Sequence, residues 1–309
     1  MPRQLRMEYP GAIYHVMSRG NQRNDIVLDD HDRDLFLTAL AEACRKTEWQ
    51  VHAYCLMRNH FHLVLETPQA NLVDGMKWLL GVYTKRHNIR HKTCGHLFAG
   101  RYNALVVDGS GNGYLRTVCD YVHLNPARAK LLRPGAPLES FRWSSYGQYL
   151  QPPKERPPWL RVDRLLGEKG IPKDSRAGRA EFGRLMEQRR RAEASADYGA
   201  IRRGWCLGSE EFRRELLASA AERAGQNHYG ADRRESGEGK AQRIVAAGLQ
   251  RLGWNEDELG RRRKGDPEKV KLARQLREET TMTLAWIAES LKMGTWTYVS
   301  NLLRAQPPK

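Results

Sequence analysis

The tripeptide His60-Phe61-His62 sets two imidazoles two residues apart. Side chains alternate along a β-strand, so His60 and His62 share one face while Phe61 and Leu63 take the other. Two imidazoles on one face can ligate a divalent ion, and the plain alternative is a pair of ordinary strand histidines. A second concentration of ligand types is His87-x3-His91-x2-Cys94-x-His96. It has zinc-like density but no paired cysteines, and the basic run KRHNIRHKTCGH reads as a loop facing DNA before it reads as a zinc site. Tyrosine is a third resource, because a phenolate is a nucleophile. Tyr83, Tyr102, Tyr114, Tyr121, Tyr146 and Tyr149 all lie in this part of the chain, and spacing alone selects none of them. Asn125 follows Tyr121 by four residues, one helical turn along the same face. Asn before Pro126 makes a good helix C-cap.

The elements around these residues alternate in type. Ala12–Ser18 alternates like a strand and closes at Gly20-Asn21. Asp30–Thr47 has helical apolar spacing, with acidic residues early and Arg45-Lys46 late, as the helix dipole favours. Gln50–Leu56 and Phe61–Glu66 are strands joined by a turn at Arg58-Asn59. Asn71–Asn88 returns to helical spacing, Tyr102–Val107 is a fourth strand, and Gly113–Asn125 is a helix stopped before Pro126. The order βαββαβ predicts an α+β fold, a ferredoxin-like antiparallel sheet with helices on one face.

The chain has 309 residues, enough for one large core or two modest ones. Lys and Arg number 52 against 36 Asp and Glu, a net charge of +16 with a pI near 9.8. That excess favours a polyanionic partner, nucleic acid before an anionic membrane. Nine of the ten histidines fall between His15 and His123. Residues 1–150 carry 19 basic and 13 acidic side chains and the remainder 33 and 23, so ligand chemistry concentrates in the first half and charge in the second. No apolar run approaches the ~20 residues of a membrane span. The start, MPRQLRMEYPG, lacks the apolar stretch of a secretory signal. Five cysteines, odd in number and without a CxxC pair, suit a reducing compartment. The expected location is the cytoplasm, in association with the nucleoid.

Beyond residue 150 the sequence reads as helical. Gln151–Pro158 (QPPKERPP) reads as a proline-rich linker and Asn227–Gly239 as a second break. Ser209–Ala224 and Asp266–Glu278 read as helices with Ser209 and Pro267 at their starts. Thr283–Leu291 and Thr295–Leu303, around Lys292-Met293-Gly294, suggest a helix-turn-helix whose spacing from Ala288 to Val299 is about one residue longer than the commonest pattern. The expected division is a catalytic domain over 1–150, the linker over 151–158, a helical connecting region over 159–235 and a helix-turn-helix domain over 236–309.

The run Met57-Arg58-Asn59-His60-Phe61-His62-Leu63-Val64-Leu65 resembles the signature of the HUH single-tyrosine transposases. Asp120-Tyr121-Val122-His123-Leu124-Asn125-Pro126-Ala127-Arg128-Ala129 resembles the tyrosine motif of the same superfamily, and Gly95–Tyr102 (GHLFAGRY) is similar to its REP-associated branch. The resemblance covers about residues 5–150 and implies the same ferredoxin-like fold. It implies that Tyr121 is the catalytic nucleophile, with Tyr83 the first alternative. It implies a Mg2+ or Mn2+ ion held by His60 and His62 and completed by Asn125, with His123 as competitor. Single-stranded, hairpin-forming DNA would be cut through a 5′-phosphotyrosine without ATP, by a monomer or a homodimer.

Arg19, Asn21, Arg23, Arg101 and Arg128 are candidate DNA contacts, each with a solvated basic surface as its alternative. Trp143 and Tyr146 either stack on bases or pack internally. Thr295, Thr297 and Ser300, near the start of the second helix of the helix-turn-helix, would meet base edges of duplex DNA, with Arg261-Arg262-Arg263-Lys264 on phosphates. Two rivals remain: a helix-turn-helix regulator whose transposase-like domain is inactive, and a metal-dependent nuclease using water. A histidine-triad hydrolase is disfavoured because Val64 stands where its third histidine would be.

Overall fold

The computed structural model describes residues 7–192, 198–224 and 231–304. Residues 1–6 and the 227–230 part of the expected second break lie outside the described residues. Strands β1 (Ala12–Arg19), β2 (Gln50–Leu56), β3 (His60–Thr67) and β4 (Asn103–Val107) alternate with α1 (Asp30–Thr47) and α2 (Leu72–His91), followed by α3 (Tyr114–His123). The sheet order is β2-β3-β1-β4, antiparallel at each of these junctions. This is the ferredoxin-like order read from the sequence.

The sheet separates two environments. Phe61 faces α1 and α2, where it meets Phe36 at a ring-centroid distance of 4.8 Å; Phe36 in turn meets Tyr83 at 5.1 Å. The opposite face carries His15, Met17 and Arg19 of β1 and His60 and His62 of β3, and the register sets Met17 opposite His62 and Arg19 opposite His60. Helix α3 packs on that face. Its boundaries differ from expectation: it ends at His123, and Asn125–Arg128 forms a separate short helix, α4. Pro126 stands in the first turn of α4 instead of stopping the preceding helix, because proline lacks only an amide that a first turn does not use.

The proline-rich run is fastened to the body. Arg156 donates to the carbonyls of Gln148, Tyr149 and Gln151 and pairs with Asp174. After α5 (Tyr146–Leu150), Leu160 bridges to Val51. Arg161 and Arg164 then converge with His52 on Glu66, holding that carboxyl down to about 2, chiefly through the His52 bond. Helices α6 (Asp163–Glu168), α7 (Arg176–Arg191) and α8 (Gly199–Arg203) follow. Leu165, Phe182 and Tyr198 join the core of the sheet, and β5 (Cys206–Leu207) adds a fifth strand parallel to β4. The described residues of 159–207 are therefore built into the first core.

A second core lies in α10 (Ala231–Leu252), α12 (Pro267–Glu279), α13 (Leu284–Ser290) and α14 (Trp296–Arg304), after α9 (Glu210–Ala224) and with α11 (Glu256–Arg261) beside it. Residues 231–239, expected as part of a break, run inside α10, and so does the expected boundary at 235/236. The α13–α14 turn passes through Lys292 (φ 49°) and Gly294 (φ 90°), as the Lys292-Met293-Gly294 reading requires. The two cores meet where Lys46 of α1 donates to the carbonyls of Arg277, Glu278 and Thr280 at the end of α12. Among the described residues no helix is long and apolar enough to cross a membrane.

Candidate active site

β1 and β3 present His15, Met17, Arg19, His60 and His62 to a cleft of about 560 Å³. Tyr121 of α3 and Asn125 of α4 form part of its wall. The His62 and Tyr121 rings meet edge-on at 5.6 Å, and His60 and His62 lie 5.0 Å apart. The structure thus brings together Tyr121, His60, His62 and Asn125, with Arg19 at the same cleft.

Hydrogen bonds select the ligand atom of each histidine. His60 Nδ1 lies 2.8 Å from Asn59 Oδ1, and the Asn59 amide nitrogen donates to the Arg23 carbonyl, which fixes the amide orientation. His60 therefore donates through Nδ1 and keeps Nε2 for a ligand. His62 Nδ1 is 2.9 Å from His15 Nε2, and the two rings are stacked. With the shared proton on His62 Nδ1, its Nε2 is likewise left. Burial, together with the cationic Arg19, brings His60 to about 4; burial, with the neighbouring His15 and His60, holds His62 well below its ordinary value. Both rings are neutral near pH 7, the form a metal requires. The donor set contains two neutral imidazoles and an amide, without a carboxylate. Two imidazoles suit a transition-metal ion better than Mg2+, and so small a donor set leaves positions open for phosphate oxygens.

Tyr121 is clamped from outside. Arg128 stacks over its ring at 4.1 Å and donates to its backbone carbonyl. Tyr198 lies edge-on at 5.1 Å, under the same guanidinium. The neighbouring Asp120 pairs with Lys169 at 2.7 Å; burial raises the Asp120 carboxyl and Lys169 opposes the rise. Arg128, expected on DNA, thus packs against the tyrosine. Tyr83, the alternative nucleophile, lies on the other side of the sheet and donates to the Ile26 carbonyl. His123 is 1 % exposed, bonds Ser145 and packs on Tyr149 and Phe182, so it neither reaches the cleft nor offers a DNA contact. Trp143 and Tyr146 are buried.

Arg19, Asn21, Arg23 and Arg101 are exposed near the cleft end of β1 or in the 92–102 connection that pairs with it. Thr295 and Thr297 are exposed at the start of α14 and Ser300 is half-buried, far along the chain from the cleft. Sequence reasoning missed His15, whose strand parity with Arg19 was the available signal. It also missed Ile201, Arg202, Gly204 and Trp205, which close the cleft from the β5 side. Of the zinc-like run, only His87 and His91 come together, with Asp32 of α1.

Residues 9–125 match the model of the family described as "Transposase IS200 like". A solved structure of a REP-associated tyrosine transposase bound to a REP hairpin resembles the chain at 12 % identity and a TM-score of 0.42, over 52 % of this chain and 92 % of that one. No curated protein matches the chain. Over residues 9–125, this chain is similar to the IS200-like transposase family.

Proposed function

We propose that the chain cuts and rejoins single-stranded DNA at hairpin-forming repeats, in the manner of the REP-associated branch, with Tyr121 as nucleophile. The observation that carries this reading is Tyr121 standing edge-on to His62 in one cleft, from an independent helix. In the forward step the Tyr121 oxygen bonds to phosphorus, the bond from phosphorus to O3′ breaks, and O3′ leaves as a hydroxyl with a proton from solvent. The phenolic proton passes to solvent, leaving a 5′-phosphotyrosine, and the reverse attack by a second 3′-hydroxyl completes strand transfer. A Mg2+ or Mn2+ ion held by His60, His62 and Asn125 would supply Lewis-acid polarisation of a non-bridging oxygen. Arg19, Asn21, Arg23 and Arg101 would guide the phosphates into the cleft. Arg128 is assigned to holding the Tyr121 ring. The α13–α14 module would bind duplex DNA through Thr295, Thr297 and Ser300, and a nucleoid location would follow.

The test incubates the protein and its Tyr121→Phe variant with hairpin-bearing single-stranded DNA and Mg2+ or Mn2+. A denaturant-stable adduct formed only with Tyr121 is the expected result. Cleavage persisting in the variant points to a water nucleophile. Duplex binding without cleavage points to a regulator.

A further inference from the structure

Behind the sheet, at the far end of α2, His87 and His91 sit on adjacent turns, i and i+4, with ring centroids 4.5 Å apart. The first turn of α1 brings Asp32 against them. His91 Nε2 is 2.9 Å from both Asp32 oxygens, and His87 Nε2 is 3.9 Å from Oδ2. In a tetrahedron with bonds of ~2.1 Å, ligand atoms stand ~3.4 Å apart, a value these distances bracket. His87 is 5 % exposed, and neither of its ring nitrogens has a hydrogen-bond partner among the described residues. Such a group in a native core calls for a partner, and an ion is one of the few that fit.

We propose that Asp32, His87 and His91 hold one zinc-class divalent cation, a structural site separate from the cleft. The charge around it permits this. Asp29 and Asp32 supply two carboxylates against the guanidinium of Arg90, whose Nη1 lies 2.6 Å from Asp32 Oδ1 and 3.0 Å from His91 Nε2; an ion would have to displace it from both, and its bonds to both oxygens of Asp29 would hold it beside the site. Burial pushes the Asp32 carboxyl up, but the Leu28 amide, His91 and Arg90 hold it below its ordinary value, and burial keeps His87 neutral; both are ligand-ready near pH 7. An imidazole pair with a carboxylate suits zinc, and with three protein ligands a fourth position remains open. The ion would tie the start of α1 to the end of α2. The connection that leaves α2 there runs on to Leu97 and Ala99, which hydrogen-bond Asn21 and Arg19 at the edge of the cleft.

The inference does not depend on the chemistry assigned to Tyr121. The full chain, freed of metal with a chelator and dialysed, is titrated with Zn2+ and separately with Co2+. One equivalent of zinc and the intense visible bands of tetrahedral cobalt are expected. In His87→Gln and in Asp32→Asn the affinity falls by more than ~100-fold while circular dichroism stays unchanged. A His60→Ala/His62→Ala double variant, which strips the cleft, keeps the equivalent. The proposal is overturned if the folded chain binds no stoichiometric zinc. It is equally overturned if the cobalt spectrum stays that of the aqueous ion, or if binding follows His60 and His62.

Discussion

Two histidine groups lie on opposite sides of one sheet, and they differ in charge and in access. His60 and His62 are neutral donors with an amide beside them, open to a cleft. His87 and His91 face the buried carboxylate Asp32. The first arrangement leaves coordination positions for a substrate's phosphate oxygens, and an ion there can be weakly held and exchangeable. The second offers three protein ligands and adds anionic charge, which favours retention. On the two proposed assignments, the same residue type would serve two purposes, decided by which partners the fold adds.

The largest effect should fall on the cleft alone. Tyr121→Phe should abolish the covalent adduct, and His62→Ala should reduce it by more than ~100-fold, with the melting temperature of the phenylalanine variant close to wild type. His87→Gln, assayed in the same gel with Mn2+ supplied, should retain adduct formation. Loss of the adduct in His87→Gln at unchanged circular dichroism would merge the two groups into one functional unit.

The second effect separates them by metal. Zn2+ at ~100 times its dissociation constant should stabilise wild type by ~2.7 kcal/mol, and His87→Gln should lose that gain. Mg2+ should give neither protein a comparable shift, because imidazole ligands suit it poorly. Calorimetric melting with each ion checks this; an equal zinc shift in the variant would break the assignment.

How much of this was legible beforehand depends on the range of each signal. The βαββαβ order followed from local periodicity, and the α1 and β2 boundaries match the observed ones, those of α1 because a capping residue and end charges mark them. His60 and His62 were visible as a tripeptide, and Tyr121 as part of a motif. Asp32 was not visible as a partner of His91, since 59 residues separate them and only the packing of α1 on α2 joins them. His15 depended on strand register, which local pattern does not fix. The β5 wall escaped because a two-residue strand has no periodicity to read. Arg128 looked like a phosphate contact because charge is legible in sequence, whereas stacking on a tyrosine requires the fold.

The third effect concerns protons. Burial lowers His15 to about 4 and His123 to about 3 from an ordinary 6.5. Between pH 6.5 and about 4 the unfolded chain binds protons that the folded chain refuses, so stability is full above 6.5 and is lost as pH falls through that window. Asp29 and Glu66, each held near 2, retain their stabilisation until lower pH, and lose it as pH falls from their ordinary values, 3.8 and 4.5, toward 2. Denaturant melts from pH 7 to 4 should show the histidine loss first. His123→Gln, which keeps a polar partner for Ser145, should shrink it by roughly 3 kcal/mol. An unchanged slope in that variant would show that His123 protonates freely in the fold.

The smallest effect sharpens the comparison within the cleft itself. His60 takes its orientation from Asn59, a surface amide, whereas His62 takes its orientation from the buried His15. Asn59→Ala removes the acceptor that keeps the proton on His60 Nδ1 without touching the core. The Mn2+ concentration for half-maximal adduct formation should rise by ~10-fold, the lower end of what an orienting partner contributes to metal affinity. At saturating Mn2+ the rate should return to that of wild type, because Tyr121 and its clamp by Arg128 and Tyr198 are unchanged. Failure of excess metal to restore the rate would mean that Asn59 acts on DNA placement, through the Arg23 carbonyl it also holds, and not on the histidine.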